Sequence, residues 1–565
     1  MDGHPYVIDD YFGQKGILSI LTILIIHENM KTLLIGINSK YIHPNLAIRL
    51  LKANCSFPVD IKEFNIKHSL EDIYNYIIEN KYEIVGISCY IWNIELVKLL
   101  LPLLRKHNII IILGGPEVSY NSTYYLYNNL VDYVIKNEGE ETFDLLIRYL
   151  HNDKIKIEDI PNLYYQDKFT FDKLVDISKS KMAYDLLEDV ENQIIYIETS
   201  RGCPFHCGYC MASLDNKLRF FSIEEIKRQV LSLIEKGGRI FKFLDRTFNA
   251  NKKNFISLID FIIKHHKENN SFQFEITGDL LDDDVINYIN EHSPKDLFRF
   301  EIGIQSTNLK ANKAVYRIQN NEKLFHNIKL IQEKGIIDLH LDLIAGLPYE
   351  DYSSFINTFN EVLQLRPKEL QLGFLKLLKG TKLYEEKDQY GYKFNKKAPY
   401  DIISNDFLSE EDVYNIHIVE DAFDYYYNKD YFKTSINYIL DKTDNCFSFF
   451  YHLGKKELKS KKLEHTFKLL DDFVKENFIE YYNNFHELLI LDYLNCYNIK
   501  PGSWWNERLS PKDKNEVIRT YHKNELKDID INILYKYSLV IPLENNYLIA
   551  IYKDNTKSIY KIKRS

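Results

Sequence analysis

The sequence predicts an α/β protein with two successive parallel-sheet domains and a mainly helical C-terminal domain. Three observations carry that expectation. Short apolar runs alternate with helix-like segments from 31 to about 150. The alternation restarts near 193 and continues to about 400. Beyond 400 it gives way to helical patterns rich in Tyr, Phe, Lys and Glu. Strands that alternate with helices pair in parallel and bury their faces under those helices.

The chain has 565 residues, 45% of them hydrophobic, enough for more than one core. It carries 72 basic against 81 acidic residues, a net charge of −9. That balance argues against nucleic acid held by a global field, though it leaves room for a local basic groove. Seven cysteines form one cluster plus the isolated Cys55, Cys89, Cys446 and Cys496. This is no disulfide framework. It implies a reducing, cytoplasmic setting in which the four isolated thiols are buried small hydrophobes.

Residues 1–29 are read as a leader or a misassigned start. Their apolar run GILSILTILII is shorter than the roughly 20 residues that span a bilayer. Its acidic flanks do not suit a signal peptide, and no membrane association is expected. Met30 stands directly before the first strand-like run, KTLLIGIN. The alternative is a short amphipathic or core-packing element.

The first domain is placed at 30–155. Its strands are expected at 31–38, 59–66, 82–90, 109–117 and 131–139. Five such units predict a doubly wound, flavodoxin-like (Rossmann-like) sheet. Ligands of such sheets bind beyond the C-terminal strand ends. Those ends carry INSKYIH, ISCYIWN, LGGPEVS and KNEGEET.

A linker is expected at 156–189 and a second domain at 190–400. Six strand candidates, 193–200, 239–249, 272–280, 297–307, 337–348 and 369–378, each precede a helical pattern. They predict a partial (β/α)6 barrel with catalytic groups at the C-terminal strand ends. Ser222 with Glu225 forms a capping box for the first helix, and Gly237 and Gly238 stop it. Residues 401–565 form the helical third domain, with a hairpin turning at Glu544, Asn545 and Asn546.

Cys203, Cys207 and Cys210 follow the first barrel strand with C-x3-C-x2-C spacing. Three thiolates hold three irons of a [4Fe–4S] cluster and leave the fourth open to an exogenous ligand. The competing reading is a zinc site of Cys203, His206, Cys207 and Cys210, in which adjacent His206 and Cys207 would strain a tetrahedron.

The cysteine motif, with Tyr209 before its last thiol, resembles the radical S-adenosylmethionine (SAM) superfamily. Three later stretches agree: FLDRTFN (243–249), EIGIQST (301–307) and LDLIAGLP (341–348). The last two resemble anaerobic coproporphyrinogen dehydrogenases. The resemblance covers about 190–400 and implies a [4Fe–4S] cluster on the three cysteines. It implies SAM contacts from Tyr209, Asp245, Glu301, Gln305, Arg317, Ile344, Gly346 and Pro348. Two departures stand out. The usual Gly-Gly-Glu is replaced around Asp245, and His340 or thereabouts replaces the first glycine of the adenine-side motif.

A flavodoxin-like domain ahead of such a barrel resembles the cobalamin-binding class of the superfamily. The matching pieces are Ser88, Gly114, Gly115 and Pro116, with Glu138, Gly139 and Glu140 as a further loop feature. Asn38, Tyr41 and His43 lie on the first loop of that domain. The Asp-x-His-x-x-Gly lower-ligand motif is absent. The cobalt's lower face is therefore expected to lack a histidine ligand, or to be capped by this loop through a group such as Tyr41. The chain as a whole resembles a subgroup whose helical C-terminal domain is uncharacterised (DUF4080-like), a likeness that includes NSKYIHPNLAIR and SCYIWN.

The resemblance implies a cobalamin-dependent radical SAM enzyme, foremost a methyltransferase acting on an unactivated carbon. The alternatives are an oxidative cyclase or rearrangement enzyme without methyl transfer, and a non-catalytic cobalamin- or redox-binding protein. A methylthiotransferase is disfavoured, because the first domain lacks the three extra cysteines such enzymes use. The expected partners are an unidentified substrate and an electron donor such as ferredoxin or flavodoxin.

Overall fold

The computed structural model describes residues 30–456, 462–505 and 509–564. The leader read at 1–29 lies outside the described residues. Two compact units divide the chain: residues up to Glu350 with Phe374–Phe407, and Asp351–Gly373 with the residues from Leu408 onward.

In the first unit, β1 (Thr32–Asn38), β2 (Asp60–Asn65), β3 (Ile84–Ser88), β4 (Ile110–Gly114) and β5 (Tyr133–Ile135) form a parallel sheet in the order β2-β1-β3-β4-β5. This is the doubly wound order expected from the alternation, with its switch point between β1 and β3. Every residue of β1 and β3 is buried. One face packs Leu33, Val85 and Ile111 into one core. The other packs Leu34, Ile84 and Ile112 into a second core with Phe143. Strands covered on both faces read as continuous apolar runs.

The expected linker contains two short strands, β6 (Leu163–Tyr165) and β7 (Lys168–Phe169). They add antiparallel to β5 and extend the sheet to seven strands. The polar turn at Gln166 and Asp167 concealed this hairpin.

The second sheet of this unit contains β8 (Ile194–Ile197), β9 (Ile240–Phe243), β10 (Ser271–Ile276), β11 (Phe298–Gln305) and β12 (Asp338–Ala345), each parallel to the next. A sixth strand, Glu369–Phe374, follows in the chain. Burial alternates strictly along β10 and β11. Phe241, Phe243, Phe272, Phe274, Phe298 and Phe300 are buried on one face. Phe241 stacks on Phe272 and Phe243 on Phe274, with centroids 4.6 and 4.5 Å apart. The helix after β8 runs Ile223–Glu235; Ser222 accepts from the Glu225 amide, and Gly237 turns out at φ +94°.

The second unit does not follow the sequence boundary at 400. Helix Tyr352–Leu363 groups with the C-terminal region, where Phe359 meets Phe423, Phe447 and Phe450 edge-on. Longer helices follow, including Glu410–Phe423, Leu463–Asn477 and Tyr482–Asn495. The expected hairpin is present as Ser538–Pro542 and Asn546–Lys553, and Thr556–Lys563 makes it three-stranded. Among the described residues no helix is long and apolar enough to cross a membrane.

Candidate active site

The loop after β8 carries the three cysteines. Gly202 turns it at φ +88°, where an added Cβ would lie 2.7 Å from the Lys217 carbonyl oxygen. Cys203 then donates its amide to Asp215 O at 2.9 Å, and Cys210 donates to Cys207 O at 3.0 Å. Gly208 donates to Val315 O and accepts from the Leu383 amide, both at 2.8 Å. Cys203 and Cys207 are buried, and burial also raises the Cys210 thiol. Among the described residues no three ligand-type side chains converge on a single-ion site.

The loop's surroundings suit a polar ligand at the open position. Arg317 lies 3.9 Å from Cys207 Sγ, donates to Tyr209 OH at 3.4 Å and also donates to Gly303 O. Gln305 sits at the end of β11 with φ +66°, and its buried Oε1 has no hydrogen-bond partner. Such an orphaned acceptor suits a ligand that donates to it. Ile344 and Tyr209 pack against an apolar cluster with Leu347 and Leu375. Gly346, at φ +102°, accepts from Tyr392 OH at 2.8 Å beside buried Pro348. Arg317 and Tyr209 thus meet at the cysteine loop, and Ile344 packs against the same apolar cluster as Tyr209.

Two expected SAM contacts are differently engaged. Asp245 is buried, with Oδ1 accepting from Thr199 Oγ1 at 2.6 Å and Ser200 Oγ at 2.5 Å, and Oδ2 accepting from the Thr199 amide at 2.9 Å. Burial outweighs these bonds and pushes its carboxyl up to about 6. It latches the end of β8 to the residues after β9. Glu301 points along the sheet's other polar groups and pairs with Lys242 at 3.0 Å.

A cavity of about 1090 Å³ lies beyond the strand ends of the first sheet. That is the upper end of the roughly 300–1,000 Å³ of small-molecule sites. Asn38, His43, Ser88, Gly114, Gly115 and Pro116 line it, as do Glu138 and Gly139. It also reaches Leu34, Gly86, Ile112 and Phe143, in the core beneath those ends. Tyr209, Cys210, Met211 and Arg246 line it from the barrel side. Gly115 adopts φ +110°, and a Cβ there would lie 2.4 Å from Cys89 O, so only glycine fits. Ser88 donates to Ile35 O at 3.2 Å and accepts from Asn45 Nδ2 at 2.8 Å.

Tyr41 is 60% exposed, donates to Asp189 at 2.6 Å and does not line the cavity. His43 Nδ1 lies 2.6 Å from Tyr196 OH, and burial lowers its pKa. Glu138 lines the cavity but spends its carboxylate elsewhere. It accepts from Arg219 at 2.8 and 2.9 Å, Arg201 at 3.3 Å and the Val175 amide at 2.9 Å. Arg201 is further held by Glu140 at 2.6 Å and Glu198 at 3.0 Å. Glu138 and Glu140 thus clasp the first domain to the cysteine loop.

Sequence reasoning missed Arg246, Lys242 and Glu275. The period-two alternation of FKFLDR puts Lys242 and Arg246 on one strand face, so a signal was present. The partnership of Glu138 with Arg219, 81 residues apart, left none.

Family models match three segments in order. The B12 binding domain covers 32–147, the Radical SAM superfamily 197–362, and a protein of unknown function, DUF4080, 388–551. The chain carries a B12-binding domain, a radical SAM domain and a DUF4080 region in succession. An uncharacterized methyltransferase of Pyrococcus horikoshii is 27% identical over 169 residues, covering 27% of this chain and 37% of that protein. The anaerobic magnesium-protoporphyrin IX monomethyl ester cyclase of Synechocystis sp. is 23% identical over 299 residues, covering 50% and 58%. The aligned stretches thus span less than two thirds of these relatives. Among solved structures, the cobalamin-dependent SAM radical enzyme OxsB superposes with TM-score 0.60 at 15% identity, covering 84% of this chain and 81% of that one. The radical SAM methyltransferase TsrM of Kitasatospora setae gives 0.58 at 14% identity, covering 75% and 98%. At that identity the likeness establishes the fold.

Proposed function

We propose that this chain is a cobalamin-dependent radical SAM methyltransferase acting on an unactivated carbon. The carrying observation is the shared chamber: Cys210 and Tyr209 of the cysteine loop line the same cavity as Ser88, Gly114 and Pro116. Cys203, Cys207 and Cys210 would hold a [4Fe–4S] cluster, Arg317 and Gln305 would contact SAM, and the cavity would take cobalamin. When bound, these groups supply an electron, a hydrogen-abstracting radical and a transferable methyl group. The residues around them have three tasks. Arg317 neutralises a carboxylate beside Cys207, Gly115 lets the backbone approach the cofactor, and the apolar cluster at Ile344 keeps water off the reacting centre.

Each turnover would consume two SAM and two electrons from an external one-electron donor. It would release methylated product, 5′-deoxyadenosine, methionine and S-adenosylhomocysteine. The likeness to the Synechocystis cyclase favours a second reading, a radical reaction without methyl transfer. Methyl-deuterated SAM, given to the reduced and reconstituted protein, separates the readings. Methyl transfer yields 5′-deoxyadenosine and S-adenosylhomocysteine together, cyclisation yields the first alone, and a binding protein yields neither. Cys203→Ala, Cys207→Ala and Cys210→Ala should each abolish visible cluster absorbance and 5′-deoxyadenosine release. Retained release would overturn the cluster assignment.

A further inference from the structure

The concave face of the second sheet carries a row of polar groups that the reading above does not use. Tyr196, Lys242, Gln273, Arg299 and Asp338 lie in register across β8, β9, β10, β11 and β12. Glu275, Glu301 and His340 form the next row. Lys242 Nζ meets Glu301 Oε2 at 3.0 Å although β10 lies between their strands. Both side chains therefore stand on the same face of the sheet, opposite the buried phenylalanines. Arg299 pairs with Asp338 at 3.3 Å and donates to His340 Nδ1 at 2.7 Å. His340 must then carry its proton on Nε2, which donates to Asp342 at 2.9 Å.

These groups are accessible rather than sealed: side-chain exposure is 27% for Lys242, 25% for Glu301 and 22% for Arg299. Tyr196, next to Lys242, also lines the large cavity, so the row opens toward it. The rows include Glu301, which the resemblance assigned to SAM and which here pairs with Lys242, but Arg299 lies six residues before Gln305, about 20 Å along a strand.

An apolar substrate laid on this row would strip water from ionised groups of both signs and replace none of it, a heavy penalty. A ligand with its own ionised groups restores those interactions. Lys242 and Arg299 suit an anionic group, and Glu301 and Glu275 a cationic one. We propose that this row binds the substrate, and that the substrate is a small water-soluble zwitterion of amino-acid or peptide-like chemistry. The proposal rests on the radical SAM reading above.

The test uses the reconstituted holoenzyme and two phases of a cell extract, the chloroform-soluble lipids and the aqueous small molecules. The aqueous phase is split further by ion-exchange resins. Expected is a rise in S-adenosylhomocysteine and 5′-deoxyadenosine with aqueous material retained on both cation and anion exchangers. Lys242→Met should raise the amount of that material needed for half-maximal release about ten- to hundredfold, and Lys242→Arg should restore most of it. Stimulation by lipid, by neutral flow-through, or by no fraction at all would overturn the substrate class. An unchanged half-maximal amount in Lys242→Met would show that the row only holds the sheet's curvature. No 5′-deoxyadenosine under any condition would instead sink the radical SAM reading.

Discussion

The two parallel sheets of the first unit solve the same problem differently. In the first, β1 and β3 are buried at every residue, and the polar groups of these two strands lie only at their ends. In the second, β10 and β11 alternate, with a phenylalanine face opposite a charged one. A sheet wrapped by helices on both sides has no interior face to offer a ligand, so its chemistry gathers at loops such as LGGPEVS. A curved sheet covered on one side keeps a hollow face along the whole strand length.

The largest effects should expose that difference directly. Ile84 and Val85 are neighbours that enter separate cores. Each, cut to Ala, should cost about 2–4 kcal/mol. Phe274 and Gln273 are also neighbours, but only Phe274 is buried. Phe274→Ala should cost about 3–5 kcal/mol and Gln273→Ala within about 0.5 kcal/mol. Denaturant titration of the four variants reads this, and equal costs for Gln273 and Phe274 would break the comparison.

Asp245 tests the second sheet's strand ends. Asp245→Asn puts an amide N–H against the Thr199 N–H and should cost about 1–3 kcal/mol. Its pH behaviour has a defined sign. The carboxyl is raised from 3.8 to about 6 in the folded protein. Its contribution is therefore fully present below pH 3.8 and lost as pH rises through 6. The wild-type advantage over Asp245→Asn should shrink between about pH 4 and 6 in unfolding titrations, the window those two values set. An advantage that grows with pH would show that the hydrogen bonds outweigh the burial.

Legibility in the sequence follows the same division. Apolar runs announced every parallel strand of both sheets, because burial on one or both faces leaves a local pattern. The cysteine loop was legible because its ligands sit within eight residues. Long-range polar pairings were not: Lys242 meets Glu301 across 59 residues, and Glu138 meets Arg201 across 63. Neither partner's neighbourhood announces the other. The resemblance marked Glu138 as a cofactor contact, and geometry gives it two arginines instead. Arg317, expected at SAM, lies 3.9 Å from Cys207 Sγ.

Glu138 therefore separates a clasp from a cofactor contact. Arg219 and Arg201, working against burial, hold its carboxyl below the usual range. Glu138→Gln keeps the shape and removes the charge that both guanidiniums share. Amide exchange across 200–220 should speed about tenfold, while cobalamin content stays unchanged. Lost cobalamin with unchanged exchange would return Glu138 to the cofactor.

The smallest effect belongs to Tyr41, on the first sheet's leading loop. Its hydroxyl reaches Asp189, and its ring stands 60% exposed outside the cavity wall. In the structure that side chain is not among the residues that line the cavity. Tyr41→Phe should thus leave the absorption maxima of bound cobalamin in place and its affinity within about twofold. His43 offers the contrast on the same loop: it lines the cavity, yet Tyr196 OH lies against its Nδ1 at 2.6 Å. Should Tyr41→Phe shift the cobalamin spectrum, the loop must rearrange on binding, and the first sheet's ends would be less preformed than the second sheet's hollow face.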